Sequence, residues 1–554
     1  MPDLLLSSVE YGGYISPIKL IVFLVSFFVW LWLVGWIYED AKTVETKEVL
    51  WTAVILAAGA VALIIWLVAP LFAIGILLYP LLVGGVSIVY VKHRNARVLD
   101  YDRVLTADHI KSLFAKKQKK ADALKSFAFV TANDNEVPVP QPRTPDFYGY
   151  QTAYDILNDA ILRRASDILL TPTQQDYNVA YYIDGVATKR PDVVREQAKY
   201  FIRFMKSLAD LDVNEKRKPQ KGRFKISRNK EKTEWEVTTA GSTMGEQVKL
   251  KQAGQKDIIK LADIGLMSDQ YEQLSKFREL KQGLFIVSGP KKSGVTSTFY
   301  ALLRNHDAFL NSINTLEKQP SADLPNIVQK AFGPNDAQTT TYAKRLQAIV
   351  RMGPDIVGVA DCTDSETAQA ACTAAKDGKI IYVTLEAENV IQAMGKWIQL
   401  IGDKNLVADS LLGISNQRLL RKLCDKCKQA YSPNKELLRK FNIPAEKAKV
   451  LYRADKEQVD RHGKSMICEN CQGTGFVGRT GVFEVITIND ELRNAVKQLK
   501  SLSEIGAQFR HAKMLYLQEQ ALRKVVNGTT AINEMIRVFS PPQKQQAKKP
   551  EPKT

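Results

Sequence analysis

Residues 283–298, GLFIVSGPKKSGVTST, predict a strand, a glycine-bearing loop and the start of a helix. The run GLFIVSG is short, apolar and rich in β-branched and aromatic residues, which is typical of a buried strand. The letters that follow nearly fit the pattern G-x-x-x-x-G-K-[ST] of a phosphate-binding loop, with Gly289, Gly294 and Thr296 in place. Val295 stands where that pattern has lysine. The stretch is therefore either a nucleotide site that has lost its main cation or a loop that never was a site.

The composition of the chain favours anionic partners. Its 554 residues are enough for about three or four domains, and its formal net charge is +18. Such a basic chain is suited to nucleic acid, phosphate or a membrane surface. Five histidines are scattered along the sequence, and surface or cap positions are expected for them: His93, His109, His306, His462 and His511. Since no histidine motif accompanies Cys362 and Cys372, we interpret these two as buried thiols rather than nucleophiles.

Two apolar tracts near the N-terminus predict membrane-spanning helices. Ile18–Tyr38 covers the roughly 20 residues that a helix needs to cross a bilayer. It has no A-x-A-like cleavage site and no basic n-region, so we do not interpret it as a signal peptide. Trp51–Val91 is about twice the length of one span, and Pro70 near its middle predicts two helices joined by a tight turn. A single kinked helix or a re-entrant hairpin is the alternative.

Basic residues directly follow these tracts: Lys92, Arg94, Arg97, Arg103, Lys111, Lys116, Lys117, Lys119 and Lys120. Asp3 and Glu10 precede the first tract, and the first basic residue is Lys19. The positive-inside rule places the basic side in the cytoplasm and, with three spans, the N-terminus outside. The position of the basic run favours anionic lipid over nucleic acid as its partner.

Two further segments are predicted to lie outside any core. NDNEVPVPQPRTP, residues 133–145, carries four prolines and is predicted to be an extended linker. PPQKQQAKKPEPKT, from Pro541 to Thr554, is polar and is predicted to be disordered.

Four of the six cysteines form two C-x-x-C pairs, Cys424/Cys427 and Cys468/Cys471. This spacing is typical of a metal site in a reducing compartment rather than of a secreted disulfide framework. Four thiolates make a closed tetrahedral zinc site, which is structural because no position is left for water. Redox chemistry or chance thiols are the alternatives.

Several stretches together resemble one family. GPDIVGVAD, residues 353–361, is an apolar strand bracketed by acids, of the type that holds Mg²⁺ and orients water. With its flanks, YAKRLQAIVRMGPDIVGVADCTDSETA (342–368), it resembles the Walker B region of the secretion ATPase superfamily, which comprises the type II secretion and type IV pilus assembly motors. The other stretches that resemble this family are ASDILLTP (165–172), YYIDGV (181–186), EKRKPQKGRFKI (215–226), SLLGISNQRLLRKLCDKC (410–427) and CENCQGTGFVGRTGVFEV (468–485). The resemblance covers roughly residues 150–538, and a membrane anchor is not part of the family's usual pattern.

The resemblance implies an α/β fold. It predicts a RecA-like P-loop core, a smaller α+β N-terminal lobe and a tetra-cysteine zinc module, to which the apolar tracts add an N-terminal transmembrane helical anchor. The predicted segments are a three-span anchor at 1–95, a basic juxtamembrane segment and Pro-rich linker at 96–149, the α+β lobe at 150–255, the degenerate RecA-like domain at 264–423, the zinc module at 424–485, a helical segment at 486–540 and a disordered tail at 541–554. In the family the two lobes form hexameric rings with nucleotide between them.

The resemblance also implies a nucleotide site, in degenerate form. The predicted nucleotide-binding residues are Gly289, Lys291, Lys292, Ser293, Gly294, Val295, Thr296, Ser297 and Asp355. The predicted catalytic residues are Glu317, in a Glu-Asp-Pro box that here reads Glu-Lys-Gln, and Asp361, which replaces the Walker B glutamate.

Five elements depart from the family pattern: the P-loop, the acidic box, the Walker B region, the histidine box and the arginines of the N-terminal lobe. Thr363 replaces an arginine, the histidine box T-L-H-T-N reads TLEAE at 384–388, and Ala180 and Tyr182 replace two arginines of the N-terminal lobe. Lys291 and Lys292 replace a Thr-Gly pair, so they add charge to the loop, but a side chain at 292 should impede the approach of phosphate to the backbone. We therefore expect hydrolysis to be lost and ATP with Mg²⁺ to bind weakly.

The leading interpretation is a membrane-anchored, catalytically degenerate relative of these ATPases that acts as a scaffold or regulatory subunit. It would be a multi-pass protein of the bacterial inner membrane with its soluble domains in the cytoplasm and a structural zinc ion. The expected partners are the membrane, related ATPases in a homo- or hetero-hexamer, and an inner-membrane secretion or pilus platform protein, while nucleic acid is not expected. The alternatives are a slow but active ATPase that powers pilus-like assembly or secretion, with Lys291 or Lys292 in place of the missing lysine, and a membrane-tethered nucleic-acid-binding module.

Overall fold

The structure, a computed structural model, describes residues 17–44, 46–69, 71–98, 103–106, 127–141, 144–228, 231–253, 259–444, 446, 448–455, 458–459 and 465–540. The chain divides into two compact units. One comprises Met1–Leu157, Leu170–Val179 and Pro191–Lys249, and the other comprises Asn158–Leu169, Ala180–Arg190 and Leu250–Thr554. The turn expected at Pro70, the basic run from Lys111 to Lys120 and the tail from Pro541 lie outside the described residues, as do His109 and His462.

Three long apolar helices begin the first unit: α1 Pro17–Thr43, α2 Glu48–Val68 and α3 Phe72–Asn95. Each is long and apolar enough to cross a membrane by length and composition. The prediction of three such helices is confirmed. The side of a membrane on which each end lies stays a prediction.

Glycines allow tryptophan rings to pack between these helices. A Cβ atom at Gly59 would lie 2.0 Å from the ring of Trp30, and one at Gly75 would lie 1.6 Å from the ring of Trp66. The indole N–H of Trp30 also donates to the carbonyl of Ile55 at 3.1 Å. A side chain at either glycine would therefore push neighbouring helices apart.

A buried ion pair joins the C-terminal ends of α1 and α3. The Arg94 Nε donates to both oxygens of Asp40, at 3.0 and 2.8 Å, and the Tyr90 hydroxyl donates to the same carboxylate at 2.7 Å. The side chain of Arg94 is 5% exposed. Because residues 40 and 94 meet, the C-terminal ends of the first and third helices lie on the same side of the bundle, as an odd number of spans requires.

The first seven-stranded sheet has the order β1-β5-β6-β7-β2-β3-β4. Its strands are β1 Ala128–Val130, β2 Ala165–Pro172, β3 Asp176–Ile183, β4 Val186–Val194, β5 Gln220–Arg228, β6 Glu231–Ser242 and β7 Gly245–Ala253. The accompanying helices are α4 Pro145–Leu162 and α5 Arg195–Leu208. Along α5 the apolar residues Phe201, Met205 and Leu208 are buried, and their spacing by three or four residues places them on one face.

Strand β1 lies in the segment that the sequence predicted to be a basic segment and linker. Its Phe129 is fully buried and pairs with Ile226 of β5 in an antiparallel register. The ring of Phe127 stacks on the ring of Tyr154 with 4.5 Å between centroids. Three strand residues between polar stretches carry no measurable periodicity, so the sequence does not predict this strand.

The second seven-stranded sheet has the order β10-β9-β11-β12-β8-β13-β18. Its strands are β8 Gly283–Gly289, β9 Ile313–Glu317, β10 Val328–Ala331, β11 Ile356–Val359, β12 Ile380–Glu386, β13 Leu411–Leu423 and β18 Phe476–Thr487. Each adjacent pair is parallel except the last, in which β18 is antiparallel to β13. The loops that follow β8, β9, β11 and β12 therefore share one edge of the sheet.

Helices and short strands complete the second unit. The helices are α6 Ser268–Ser275, α7 Val295–Leu303, α8 Asp336–Thr339, α9 Tyr342–Arg351, α10 Ser365–Lys376, α11 Val390–Ile401, α12 Lys404–Ser410, α13 Lys435–Lys440, α14 Asp490–Lys497, α15 Leu502–His511, α16 Leu517–Val526 and α17 Ile532–Phe539. Two 3₁₀ helices, Leu261–Asp263 and Lys276–Glu279, and the short strands β14 Gln429–Tyr431, β15 Leu451–Arg453, β16 Gln458–Val459 and β17 Ser465–Met466 are also present. The α/β fold that the sequence predicted is confirmed.

Three side chains singled out in the sequence are buried in the second unit. Cys362 and Cys372 are buried as expected, and burial raises the pKa of these thiols to about 12 and about 11, so they are inert at neutral pH. The surface position expected for His306 is wrong. This residue is 5% exposed, its Nε2 lies 2.7 Å from the Tyr382 hydroxyl, and burial lowers its pKa to about 4.

Candidate functional site

The stretch GPKKSGVTST forms a tight turn between a buried strand and a helix. Strand β8 is buried along its whole length, and α7 begins at Val295. Between them Lys292 (φ +67°) and Gly294 (φ +90°) adopt left-handed backbone conformations. A Cβ atom at Gly289 would lie 2.3 Å from Oγ of Ser293, so the turn folds back over the end of the strand. The strand, loop and helix that the sequence predicted are all present.

Val295 is an apolar residue in the first turn of α7. Its side chain is partly buried and packs against the cluster that contains Phe285 and Phe299. Thr296 is exposed, and Ser297 is partly exposed. The first turn of the helix therefore places no cation at the loop.

The two loop lysines are both exposed, but Lys292 has a neighbour. Its Nζ lies 5.6 Å from the centre of the Tyr182 ring, a distance at which an ammonium group is attracted to an aromatic face. Tyr182 belongs to β3, at one of the positions where the resembling family has arginine. A tyrosine and a non-glycine loop residue thus meet where the family pattern has an arginine and a glycine.

Asn416 and Gln417 of β13 form hydrogen bonds to the loop and its flanking residues, which the sequence did not predict. The Gln417 Nε2 donates to the carbonyl of Ser293 at 2.9 Å. The Asn416 Nδ2 donates to Oγ of Ser288 at 2.9 Å and to the carbonyl of Ala387 at 3.0 Å. Within the described residues, Oγ of Ser293 and Oε1 of Gln417 are buried and have no hydrogen-bond partner. The Ser293 hydroxyl can donate to a bound anion, whereas Oε1 of Gln417 only accepts hydrogen bonds and cannot.

Glu317, a predicted catalytic residue, accepts three side-chain hydrogen bonds inside the protein. It is the last residue of β9 and is 3% exposed. Its carboxylate accepts from the Tyr300 hydroxyl at 2.6 Å, from Oγ1 of Thr315 at 2.7 Å and from Nε2 of Gln329 at 3.1 Å. Burial and this bond to Glu317 raise the pKa of Tyr300 to about 12. The carboxylate of Glu317 is therefore buried and held in place by three side chains.

Asp361, the other predicted catalytic residue, lies two residues beyond β11, at the same edge of the sheet as the loop. It is exposed and has a left-handed backbone (φ +52°), and its amide donates to Oγ1 of Thr384 at 2.7 Å. Asp361 is therefore accessible at the edge where the loop lies.

The structure does not bring Asp355 to the loop, contrary to the prediction. Asp355 precedes β11, which is parallel to β12 and, through it, to β8. Its amide and carboxylate bond to Ser312, which precedes β9. Asp355 thus lies at the opposite edge of the sheet from Gly289, roughly 20 Å away at about 3.3 Å per residue. It cannot bind the same ion as Thr296.

Acidic side chains occupy the segment that replaces the histidine box. Glu386 is the last residue of β12 and is exposed, and Glu388 is 67% exposed. Arg418 of β13 donates to a carboxylate oxygen of Glu388 at 2.6 Å and to its carbonyl at 2.8 Å. Burial lowers the pKa of Arg418, and Glu388 partly offsets this effect. Arg418, which follows the loop-bonded Gln417, is therefore already paired, and this pairing weakens its attraction for phosphate.

The four predicted metal ligands come together at the joined ends of β13 and β18. Cys424 follows the end of β13 directly, Cys471 lies just before β18, and the antiparallel pairing of Leu423 with Phe476 brings the two cysteine pairs together. All four cysteines are buried, and their Sγ atoms lie within 4.8 Å of one another. Such a group could hold a metal ion.

Hydrogen-bond donors point at the sulfur atoms of this cluster. The Asn470 Nδ2 donates to Sγ of Cys424, and the amide of Gly475 donates to Sγ of Cys471, both at 3.3 Å. Donors of this kind stabilise thiolates, the form in which cysteine binds metal. The donor set and its burial fit a metal with a preference for four sulfur ligands.

Comparison with known proteins decides the family. The model of the family described as "Type II/IV secretion system protein" matches residues 150–537, more than half of the chain. The chain belongs to this family. The type II secretion system protein E of Dickeya dadantii is 31% identical over 385 residues, which cover 69% of this chain and 74% of that protein.

The family also includes longer proteins. The type IV pilus assembly ATPase PilB of Thermus thermophilus is 29% identical over 427 residues, and the match spans 76% of this chain but only 46% of PilB. Among solved structures, the ATPase DotB of Yersinia pseudotuberculosis is similar with a TM-score of 0.50 and 14% identity, over 72% of this chain and 95% of DotB. That likeness shows the fold alone.

Proposed function

We propose that this chain is a membrane-anchored, catalytically degenerate member of the family that serves as a scaffold or regulatory subunit. The observation that carries the proposal is the position of Val295. In the P-loop pattern the residue after the last glycine is the lysine that meets the β- and γ-phosphates. Here that residue is apolar and packs against the core.

Three further observations support the loss of hydrolysis. The carboxylate of Glu317 is buried and bonded to Tyr300, Thr315 and Gln329. Glu386 and Glu388 bring negative charge to the loop edge. Lys292 has a side chain where close approach of phosphate needs glycine. Loss of one preorganised group that stabilises transition-state charge costs on the order of 3 kcal/mol, and here several such groups are altered.

The anchor gives the scaffold its location. Three helices that could cross a membrane precede the family region. With the basic residues after α3, the protein would lie in a bacterial inner membrane with its soluble part in the cytoplasm. There it would join a hexameric ring with related ATPases, or with its own copies, and contact a secretion or pilus platform protein. The cysteine cluster would hold one structural zinc ion through four sulfurs.

The test is ATP turnover by the full chain in detergent. We expect negligible hydrolysis by the wild type and weak nucleotide binding. Val295→Lys alone should restore little activity, because the other altered groups remain. An intact family ATPase from the same source, assayed in parallel, is the positive control.

One outcome would promote the slow-ATPase alternative. If the wild type hydrolyses ATP rapidly and Lys291→Ala or Lys292→Ala abolishes this activity, a loop lysine supplies the missing charge. The scaffold proposal would then be wrong. Lys281→Ala, which removes an exposed cation just before β8, at the other end of that strand from the loop, is the matched control.

A further inference from the structure

Two stretches of the N-terminal lobe belong to the compact unit that contains the cysteine cluster. They are Asn158–Leu169, at the end of α4 and the start of β2, and Ala180–Arg190, at the end of β3 and the start of β4. We call them the docked stretches. The second one carries Tyr182, whose ring lies beside Lys292 of the loop.

Three hydrogen bonds join the docked stretches to residues 472–478, which comprise the turn after Cys471 and the first three residues of β18, and which we call the turn 472–478. The Arg163 Nη1 donates to the carbonyl of Gln472 at 2.7 Å. The Arg164 Nη2 lies 3.5 Å from the carbonyl of Phe476, and the amide of Gly478 donates to Oδ2 of Asp184 at 3.1 Å. All three use backbone groups of the turn, so the contact depends on the shape of the turn rather than on its side chains.

The cysteine ligands shape that turn. The amide of Gln472 donates to the carbonyl of Cys468 at 2.8 Å, and the amide of Gly475 donates to Sγ of Cys471 at 3.3 Å. On the other side, the amide of Cys424 donates to the carbonyl of Gly475 at 3.0 Å. A metal ion bound by these cysteines would hold the two cysteine pairs together, and with them Gln472 and Gly475, to which they are hydrogen-bonded.

Three residues at the contact adopt left-handed backbone conformations: Arg164 (φ +58°), Asp184 (φ +49°) and Gln472 (φ +52°). Arg164 lies just beyond the end of α4, and Asp184 with Gly185 forms the two-residue turn between β3 and β4, where left-handed aspartate and glycine are preferred. Local turns therefore set the backbone at the positions that make the contact. The side chain of Arg163 is further fixed by Asp159, which accepts from its Nε at 2.8 Å.

We propose that the turn 472–478 is the docking site for these two stretches, and that metal bound by the cysteine cluster keeps the site in its docking conformation. The metal then acts on the two docked stretches, through Arg163, Arg164 and Asp184, in addition to stabilising its own module. Docking also sets the position of Tyr182 against Lys292. The inference holds whether or not the protein hydrolyses ATP, so it goes beyond the proposed function.

Hydrogen exchange measured by mass spectrometry on the full chain in detergent micelles tests the docking. In the double variant Arg163→Ala/Arg164→Ala, peptides from 158–169 and 180–190 should exchange about ten-fold faster, while zinc content and exchange in β8 stay unchanged. Lys276→Ala/Arg278→Ala removes two exposed cations of the same unit and should change nothing in these peptides. Exchange equal to the wild type in the double variant would overturn the docking.

A second variant and a chelator complete the test. Asp184→Ala deletes the acceptor for the Gly478 amide, so it decides the question if the double variant unfolds. It should accelerate exchange in 180–190, and wild-type exchange there would contradict the proposal. Removal of zinc by a chelator should accelerate hydrogen exchange in residues 468–478 and in both docked stretches. If exchange accelerates only in residues 468–478, the metal does not control docking.

Discussion

The ammonium group of Lys292 lies 5.6 Å from the centre of the Tyr182 ring, and both residues occupy positions where the family pattern has something else. Lys292 has a left-handed backbone conformation, which favours glycine. Tyr182 occupies a position where the family pattern has arginine. The face of the Tyr182 ring attracts the Lys292 ammonium group, whereas an arginine at position 182 would repel it. The two departures are therefore compatible with each other. Reversal of only one of them should change the stability of the protein measurably.

The left-handed backbone at two loop positions predicts opposite effects of substitution. Lys292→Gly should raise the stability by up to about 1 kcal/mol, because glycine adopts φ +67° without strain. Gly294→Ala should lower it by roughly 1–2 kcal/mol, since φ is +90° there and the new Cβ would lie 3.2 Å from Nε2 of Gln417. Urea unfolding followed by pulse proteolysis measures both. Equal destabilisation by the two variants would contradict the turn geometry.

Acid should destabilise the protein through His306. Its folded pKa is about 4, below the ordinary value of 6.5, because burial disfavours the imidazolium. The neutral form is favoured on folding, so this contribution is complete above pH 6.5 and is lost as the pH falls from 6.5 towards 4. The loss reaches on the order of 3 kcal/mol. His306→Gln should flatten the pH dependence of the melting temperature over this range, whereas His511→Gln, at an exposed site, should not.

Glu534 should stabilise the C-terminal helix α17 above about pH 4.5. Burial alone would raise its pKa, but hydrogen bonds from Arg537 and Arg421 outweigh this effect and lower the pKa to about 2. A depressed carboxyl pKa contributes stability above the unfolded value of 4.5, and that stability is lost as the pH falls towards 2. Glu534→Gln should cost roughly 2–3 kcal/mol at pH 7, because it leaves Arg421 partly unpaired. The exposed pair Glu519–Arg510 gives the control, since Glu519→Gln should cost under about 0.5 kcal/mol.

Three spans predict opposite sides for the two ends of the anchor. A reporter fused before Met1 should be active outside the cytoplasm, and a reporter after Arg97 should be active inside it. The ion pair between Asp40 and Arg94 requires α1 and α3 to end on the same side. Reporters that find both ends on one side would exclude three spans.

The cysteine cluster predicts about one zinc ion per chain, measured by elemental analysis of the purified protein. Cys424→Ser/Cys468→Ser should lose the metal and make residues 424–485 sensitive to protease. Cys362→Ser/Cys372→Ser removes two buried thiols outside the cluster and should keep the metal. A stable wild-type protein without metal would refute the site.

The sequence by itself determined the features that depend on local pattern. Apolar runs of sufficient length specified the three helices, and a β-branched run followed by glycines specified β8 and its turn. The family followed from motifs within residues 150–537. The absence of a lysine at position 295 is also evident from the sequence, since it concerns the identity of a single residue.

The tertiary structure alone decided which of these residues meet. Asp355 is close to Asp361 in sequence, but a parallel strand separates them and places Asp355 at the far edge of the sheet. Glu317 looks free in sequence, but Tyr300, Thr315 and Gln329 bond to its buried carboxylate. Contacts of this kind arise between segments distant in the chain, where strand direction and packing, rather than sequence spacing, set the distance between side chains. The residue types in the loop could therefore be interpreted from the sequence, whereas the contacts that other segments make around the loop could not.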